Sequence, residues 1–507
     1  MPCDFPLFLV TLWKSNFSVM KKILYALCSL ICASSLGFAQ TYDDRIAGAM
    51  NSGDWFSLDS IYTAAPKDSI SGFLEVFSRC LIGNRLNRPD VSIPAFTELF
   101  DTQSANLDLG NLLNSSVMFA MDLSRTGNNA SAASMLTSIL DSTRRYLDSA
   151  AISGMQKYID KYAALSAYKP YGIDFGDQSC GTIPFKFVPV GPASHNSLLM
   201  HLEQCSINNI GADITFDTGA GVNIISDSLA REYGLIPLDA IENVSGVGVQ
   251  SGHYAVAKKL KLGNITITDV PFIVITITAN NREADQYMNS FEIIVGSELM
   301  LQLKDLTIDF VSRQITIPVE APVRSSVPSN LCFSSQMNLM TEGKVHDNAM
   351  LINLDTGDAS YGSLCETFFE RNKDFVISHS SLDSIRDAGI GGVRIAPCYY
   401  VPDLEAMLGG SSVTVPRMAV RLDSEIRPGA DFECNLGLKS FMLFEKVRFN
   451  MVDFTITTYP YSLSLGANCW RKYNTPTFKV SSNKGITPLQ AIGVIAVEVA
   501  REMISHK

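Results

Sequence analysis

Two stretches, "ITFDTGA" at 214–220 and "INLDTGD" at 352–358, each open the same succession of segments, and this duplication restricts the fold more than any other feature of the chain. After the first come "GVGVQSGHYAVAKKLKLGNITITDVPFIVI", "EIIVG" and "LTIDFVSRQITIP". After the second come "GIGGVRIAPCYYVPDLEAMLGGSSVTVPRMAV", "CNLG" and "VRFNMVDFTITTYP". Asp217 lies 79 residues before Gly296, and Asp355 lies 82 before Gly437. Each segment is a short run of Val, Ile, Thr and Phe bounded by Gly, Asn, Asp or Pro, the texture of β-strands joined by tight turns. The region from about 183 to 462 therefore reads as two homologous β lobes.

The stretch before it has a different period. Leu109, Leu112, Leu113, Val117, Ala120 and Leu123 recur at three- and four-residue steps until Gly127, and Ala133, Leu136, Ile139 and Leu140 begin a second stripe. Weaker pairs precede them around Asp43–Ser60 and Ser69–Leu86, broken by Gly53, Pro66 and Pro89. This is an array of helical hairpins resembling the tetratricopeptide type, or an irregular helical domain. "YKPYGIDFGDQ" at 168–178 is the expected boundary, so the helical part is expected to fold separately and to be dispensable for chemistry. The fold class is multidomain α + β: a signal segment over 1–39, helical hairpins over 40–168, a first lobe over 175–322, a second over 328–462, and a tail with a helix over 463–507.

"MKKILYALCSLICASSLGFA" starts with lysines, continues apolar and ends with Gly37 and Ala39 at small-residue positions, so translation is expected to start at Met20 and export to follow cleavage near Ala39. "GITPLQAIGVIAVEVAREMI" is interrupted by Glu498 and Arg501, which argues against a stable membrane span. A formal net charge of −11 leaves no basic face for nucleic acid, and the lysines of "KKLKL" read as one solvated strand face. Of the eleven cysteines, eight remain after cleavage, scattered and without a CxxC pair; export permits disulfides, and buried thiols are the equal alternative.

One D-T-G occurs by chance in roughly one chain in ten of this length, and Asp-x-Gly is an ordinary turn. Two copies with matching followers are a different matter. A calcium loop from Asp355 to Glu366 fails because Gly357 and Ala359 stand where ligands belong. No HExxH or GxSxG occurs, and the six histidines show no ligand spacing, so neither metal nor cofactor is expected.

The two lobes resemble those of aspartic proteases of the retropepsin and pepsin kind, over about 280 residues from 183 to 462. "FDTGAGVNII" carries the resemblance with "IIVG"; "LDTGD" and "CNLG" are its looser second copy. The resemblance implies a bilobal endopeptidase in which Asp217 and Asp355 share a proton and activate a water against a peptide bond. It implies that Thr218 and Thr356 bond across the lobe interface, and Gly219 and Gly357 let the backbone approach the carboxylates. Asp358 stands where the family has Ser, Thr or Ala, and two readings stay open: a third carboxyl beside the pair, holding protons to higher pH, or a turn residue pointing to solvent. Tyr254 is placed on the flap, facing substrate or serving as a plain strand residue. The expected partner is a peptide or protein substrate, and the helical hairpins offer a place to bind another protein. Two further functions fit: an inactive protease-like peptide-binding protein of the cell envelope, and a scaffold whose function lies in the helices.

Overall fold

The computed structural model describes residues 40–66, 68–190, 197–277, 291–423 and 431–461. The expected signal segment and the expected C-terminal helix lie outside the described residues. Among the described residues seven α-helices come first: α1 Tyr42–Ser52, α2 Trp55–Ala64, α3 Gly72–Arg85, α4 Pro89–Thr102, α5 Leu109–Arg125, α6 Asn129–Thr143 and α7 Ser149–Leu165. Their starts are encoded locally. Thr41 and Asp44 form a capping box on α1, and the carboxylates of Asp54, Asp108 and Asp148 accept backbone N–H groups in the first turns of α2, α5 and α7. Pro89 opens α4 at the position where its missing N–H costs nothing.

Successive helices pack through small residues and one buried polar junction. A Cβ on Gly83 would lie 2.5 Å from Ser92, so α3 and α4 meet in near backbone contact. Asp122 of α5 is buried and accepts from Asn84 at 3.1 Å and Ser92 at 2.6 Å, tying three helices together. No helix among the described residues is long and apolar enough to cross a membrane.

The chain then becomes β, and the boundary segment already belongs to the first lobe, since Gly172–Asp174 pairs antiparallel with Thr266–Thr268. In each lobe the strand that ends at a D-T-G, the strand after it, and a third from further on are woven in the same way. Ile293–Val295 runs parallel to Ile214–Phe216 and antiparallel to Ile224–Ser226. Cys434–Gly437 runs parallel to Asn348–Asp355 and antiparallel to Gly362–Leu364. Between the second and third strands each lobe extends a long hairpin, Ile236–Ser245 with Val249–Leu262, and Leu382–Gly389 with Gly392–Leu408. The lobes are joined by their last hairpins, where Asp305–Asp309 pairs antiparallel with Phe444–Asn450 and Arg448 grips the Asp305 carboxylate at 2.7 and 3.0 Å.

The helical part does not stand apart as the texture break suggested. Ile46, Leu58, Leu81, Ile82 and Leu86 share one core with Cys332, Met340, Cys365 and Phe432 of the second lobe. Arg85 donates to the Ser334 carbonyl at 2.7 Å, and Asn87 to the Met451 carbonyl at 2.9 Å. At its other end α7 packs on Ile236–Ser245 of the first lobe. The helices thus reach from one lobe to the other, and the described residues from 40 to 460 belong to one compact unit. All seven described cysteines carry free thiols, and all except Cys180 are buried.

Candidate active site

Asp217 and Asp355 end buried strands and turn at once into tight loops that face each other across the lobe interface. The loops interlock through their threonines. The Thr218 amide donates to Thr356 Oγ1 at 3.0 Å, and the Thr356 amide returns the bond to Thr218 Oγ1 at 3.0 Å. Each hydroxyl passes its own proton to a carbonyl of the opposite lobe, Thr218 to Leu354 at 2.8 Å and Thr356 to Phe216 at 2.9 Å. Both threonines are fully buried, so these four bonds are made away from competing water.

The glycines that follow place each carboxylate against the other lobe. A Cβ on Gly219 would stand 2.5 Å from the Asp355 carboxylate, and one on Gly357 would stand 2.3 Å from Asp217 Oδ2. The Gly357 amide lies 3.1 Å from both Asp217 Oδ1 and Asp355 Oδ1, so one N–H is shared by the two acids. Gly219 N donates to Asp217 Oδ1 at 2.8 Å, and Asp358 N to Asp355 Oδ1 at 3.0 Å. Behind the loops sit Gly296 and Gly437, where a Cβ would strike the carbonyls of Ala220 and Ser360 at 2.3 and 2.4 Å. That explains why "IIVG" and "CNLG" both close on glycine.

The Asp358 carboxylate accepts Ser360 N at 2.9 Å, Ser360 Oγ at 2.7 Å and Asn435 Nδ2 at 2.9 Å. Burial first, and the neighbouring Asp355 charge second, push its carboxyl up to about 6. Asn435 is in turn held by Asn353 at 2.6 Å. Sequence reasoning missed this chain, although a signal was present. The matching positions in the first lobe are Ala220, Ile294 and Thr215, so Asp358 and Asn435 are two departures that compensate each other. Asn223 was also missed. It donates to Tyr171 Oη and the Pro271 carbonyl and accepts Gly296 N, fastening the first loop to its hairpin.

Tyr254 does not line the cleft. It is buried in a cluster with Ile224, Ile273 and Ile275, its hydroxyl reaches Glu242 at 3.4 Å, and Lys161 of α7 lies 5.2 Å from its ring centre. The alternation along its strand turns it toward α7, away from the acids. The tips of the two hairpins meet instead: Gly248 N donates to the Ile390 carbonyl at 3.0 Å, and a Cβ on Gly391 would lie 2.6 Å from the Gly248 carbonyl carbon. Gly391 has φ +85°, a left-handed conformation suited to glycine.

Tips and acids enclose a cavity of about 2080 Å³, lined by Asp217, Asp355, Asp358, Gly246 and Ile390, and by faces of α1, α3, α5 and α7. This is about twice the upper end of the ~300–1,000 Å³ of small-molecule sites, and it suits a longer ligand. No group of acids, histidines and cysteines among the described residues could hold a metal ion. Both carboxylates accept the one Gly357 N–H, and like charges brought together in this way favour a single shared proton.

Residues 203–299 match the family model described as aspartyl protease. The match takes in the first D-T-G, its hairpin and "IIVG", and ends within the first lobe. No curated protein matches the chain.

Proposed function

We propose that the protein is an aspartic endopeptidase that hydrolyses peptide bonds in extended polypeptides, using a water activated between Asp217 and Asp355. The reciprocal placement of the two loops supports this reading most strongly, because each carboxylate rests on the glycine of the opposite lobe. The ionised acid takes a proton from the water as it attacks the carbonyl, and the protonated acid neutralises the developing oxyanion; the roles then exchange as the amine leaves. The bonds from Gly219, Gly357 and Asp358 amides hold the carboxylates without side-chain rearrangement, which is the preorganisation such a step requires. The touching hairpin tips suit a substrate lying as a strand beneath them.

Asp217→Asn and Asp355→Asn are each expected to lower kcat on a mixed peptide library by about 10³-fold or more, with circular dichroism unchanged. A variant that keeps a tenth of parent turnover would refute the assignment. We further propose export, on the lysines, apolar run, Gly37 and Ala39 of the N-terminus. N-terminal sequencing of the secreted or periplasmic fraction should begin near Gln40, and a chain retained uncleaved in the cytoplasm would contradict it.

A further inference from the structure

We propose that the inner face of the helical array is an extension of the substrate cleft, and that it selects unfolded polypeptides carrying an apolar segment beside the scissile bond. The proposal rests on the endopeptidase reading, and deepens it by naming a substrate class. The cavity that contains Asp217 and Asp355 continues without interruption onto the helices. The helices α1, α3, α5 and α7 turn a stripe into it, α2 adds Trp55 alone, and none of the lining residues comes from α4 or α6.

The stripe is apolar. Phe73 and Phe77, Leu113 and Met121, and Met155 and Tyr158 lie one or two turns apart on their helices and face the cavity. These side chains also serve the helix core: Phe73 and Phe77 pack on the cluster of Val76, Cys80, Ala95, Phe96 and Leu99, and Leu113, Met121 and Tyr158 on the cluster that includes Met155. None of the six is fully exposed, yet together they give the cavity a continuous concave apolar wall.

Charge narrows the ligand. The helical part of the wall carries two basic residues, Arg85 and Lys161, and two acidic ones, Asp108 and Asp148. Both aspartates are occupied as N-caps, Arg85 bonds Ser334 and lies against Trp55, and Lys161 lies over Tyr254. Neither an acidic nor a basic peptide would find a complementary field there. An apolar segment would, and the methionines of the wall adapt to side chains of differing shape. The joined hairpin tips restrict the ligand further, to a chain that can pass beneath them in extended form.

The test compares two peptides of equal length with one shared central sequence, one flanked by Leu, Met and Phe, the other by Ser, Gly and Asn. Cleavage is read on the mature full-length protein, and affinity on its Asp217→Asn variant by fluorescence anisotropy. The apolar flank should raise kcat/KM and tighten Kd by about tenfold or more, the effect of burying one large side chain. In Leu113→Glu/Met121→Glu the ratio between the peptides should fall to near one; should that variant not fold, the milder Leu113→Asn takes its place in the same comparison. Equal cleavage and equal affinity for the two flanks overturn the proposal and leave the endopeptidase standing. An apolar preference in affinity without any cleavage supports the proposal and overturns the endopeptidase. A preference undiminished in a folded double variant places the apolar seat elsewhere and also overturns the proposal.

Discussion

Replacing Thr218 by Val keeps the shape of the side chain and removes its hydroxyl, so it isolates the cross-lobe bonds. The substitution leaves the Thr356 N–H without its acceptor and the Leu354 carbonyl without its donor, while the Thr218 amide keeps Thr356 Oγ1. Thr356 and Leu354 are both fully buried, so water cannot replace the lost partner. An orphaned buried polar group costs about 1–3 kcal/mol, which puts the loss at about 2–6 kcal/mol. Thr218→Ser keeps both bonds and gives up one methyl group, a loss of about 1 kcal/mol. Urea unfolding at neutral pH measures the difference through the shift in midpoint, provided the slope is unchanged. Turnover should fall with Val and survive with Ser, because the bonds hold the two aspartate loops in register. A Val variant within about 1 kcal/mol of the parent, or a Ser variant as damaged as Val, would refute the reasoning.

Gly357→Ala places a methyl group 2.3 Å from Asp217 Oδ2, and since Gly357 needs no left-handed backbone the effect is purely steric. Displacing the carboxylate by a fraction of an ångström to 1 Å should cost about 10²-fold in kcat/KM on any substrate, and near-parent kinetics would show that Asp217 is not held where described. Asp358 titrates near 6 in the folded chain against 3.8 when free, so its contribution is favourable at low pH and is lost as pH rises through about 6. The difference corresponds to roughly 3 kcal/mol. The stability of Asp358→Asn relative to the parent should therefore rise between about pH 4 and pH 7, and parallel pH–stability curves would dismiss the effect.

The β duplication was legible because strand pairing repeats at the level of sequence: "IIVG" and "CNLG" both lie between the strands flanking a D-T-G. The helices were legible from their stripes and caps. What each stripe touches was not. Leu81, Ile82 and Leu86 satisfy a generic amphipathic pattern, and nothing local shows that they bury against Cys332, Met340 and Phe432 some 250 to 350 residues later. The same limit applies to Tyr254, whose strand alternates correctly while only the position of α7 decides which face is covered. Asp358 could be recognised as a departure from its family, but its three donors come from Ser360 and from Asn435 on a distant strand, so its surroundings became visible only once the strands were paired.

The packing of α7 on Ile236–Ser245 gives the two hairpins unequal standing. The first is clamped from behind, with Tyr254 and Lys161 stacked beneath it. The second keeps Leu382 and Ile395 in solvent, at 62% and 68% exposure, and most of the Leu382–Gly389 strand is covered only in part or not at all. Elements with few buried contacts open first. The roof over the acids is therefore asymmetric, and the second hairpin is expected to exchange its amide protons before the first.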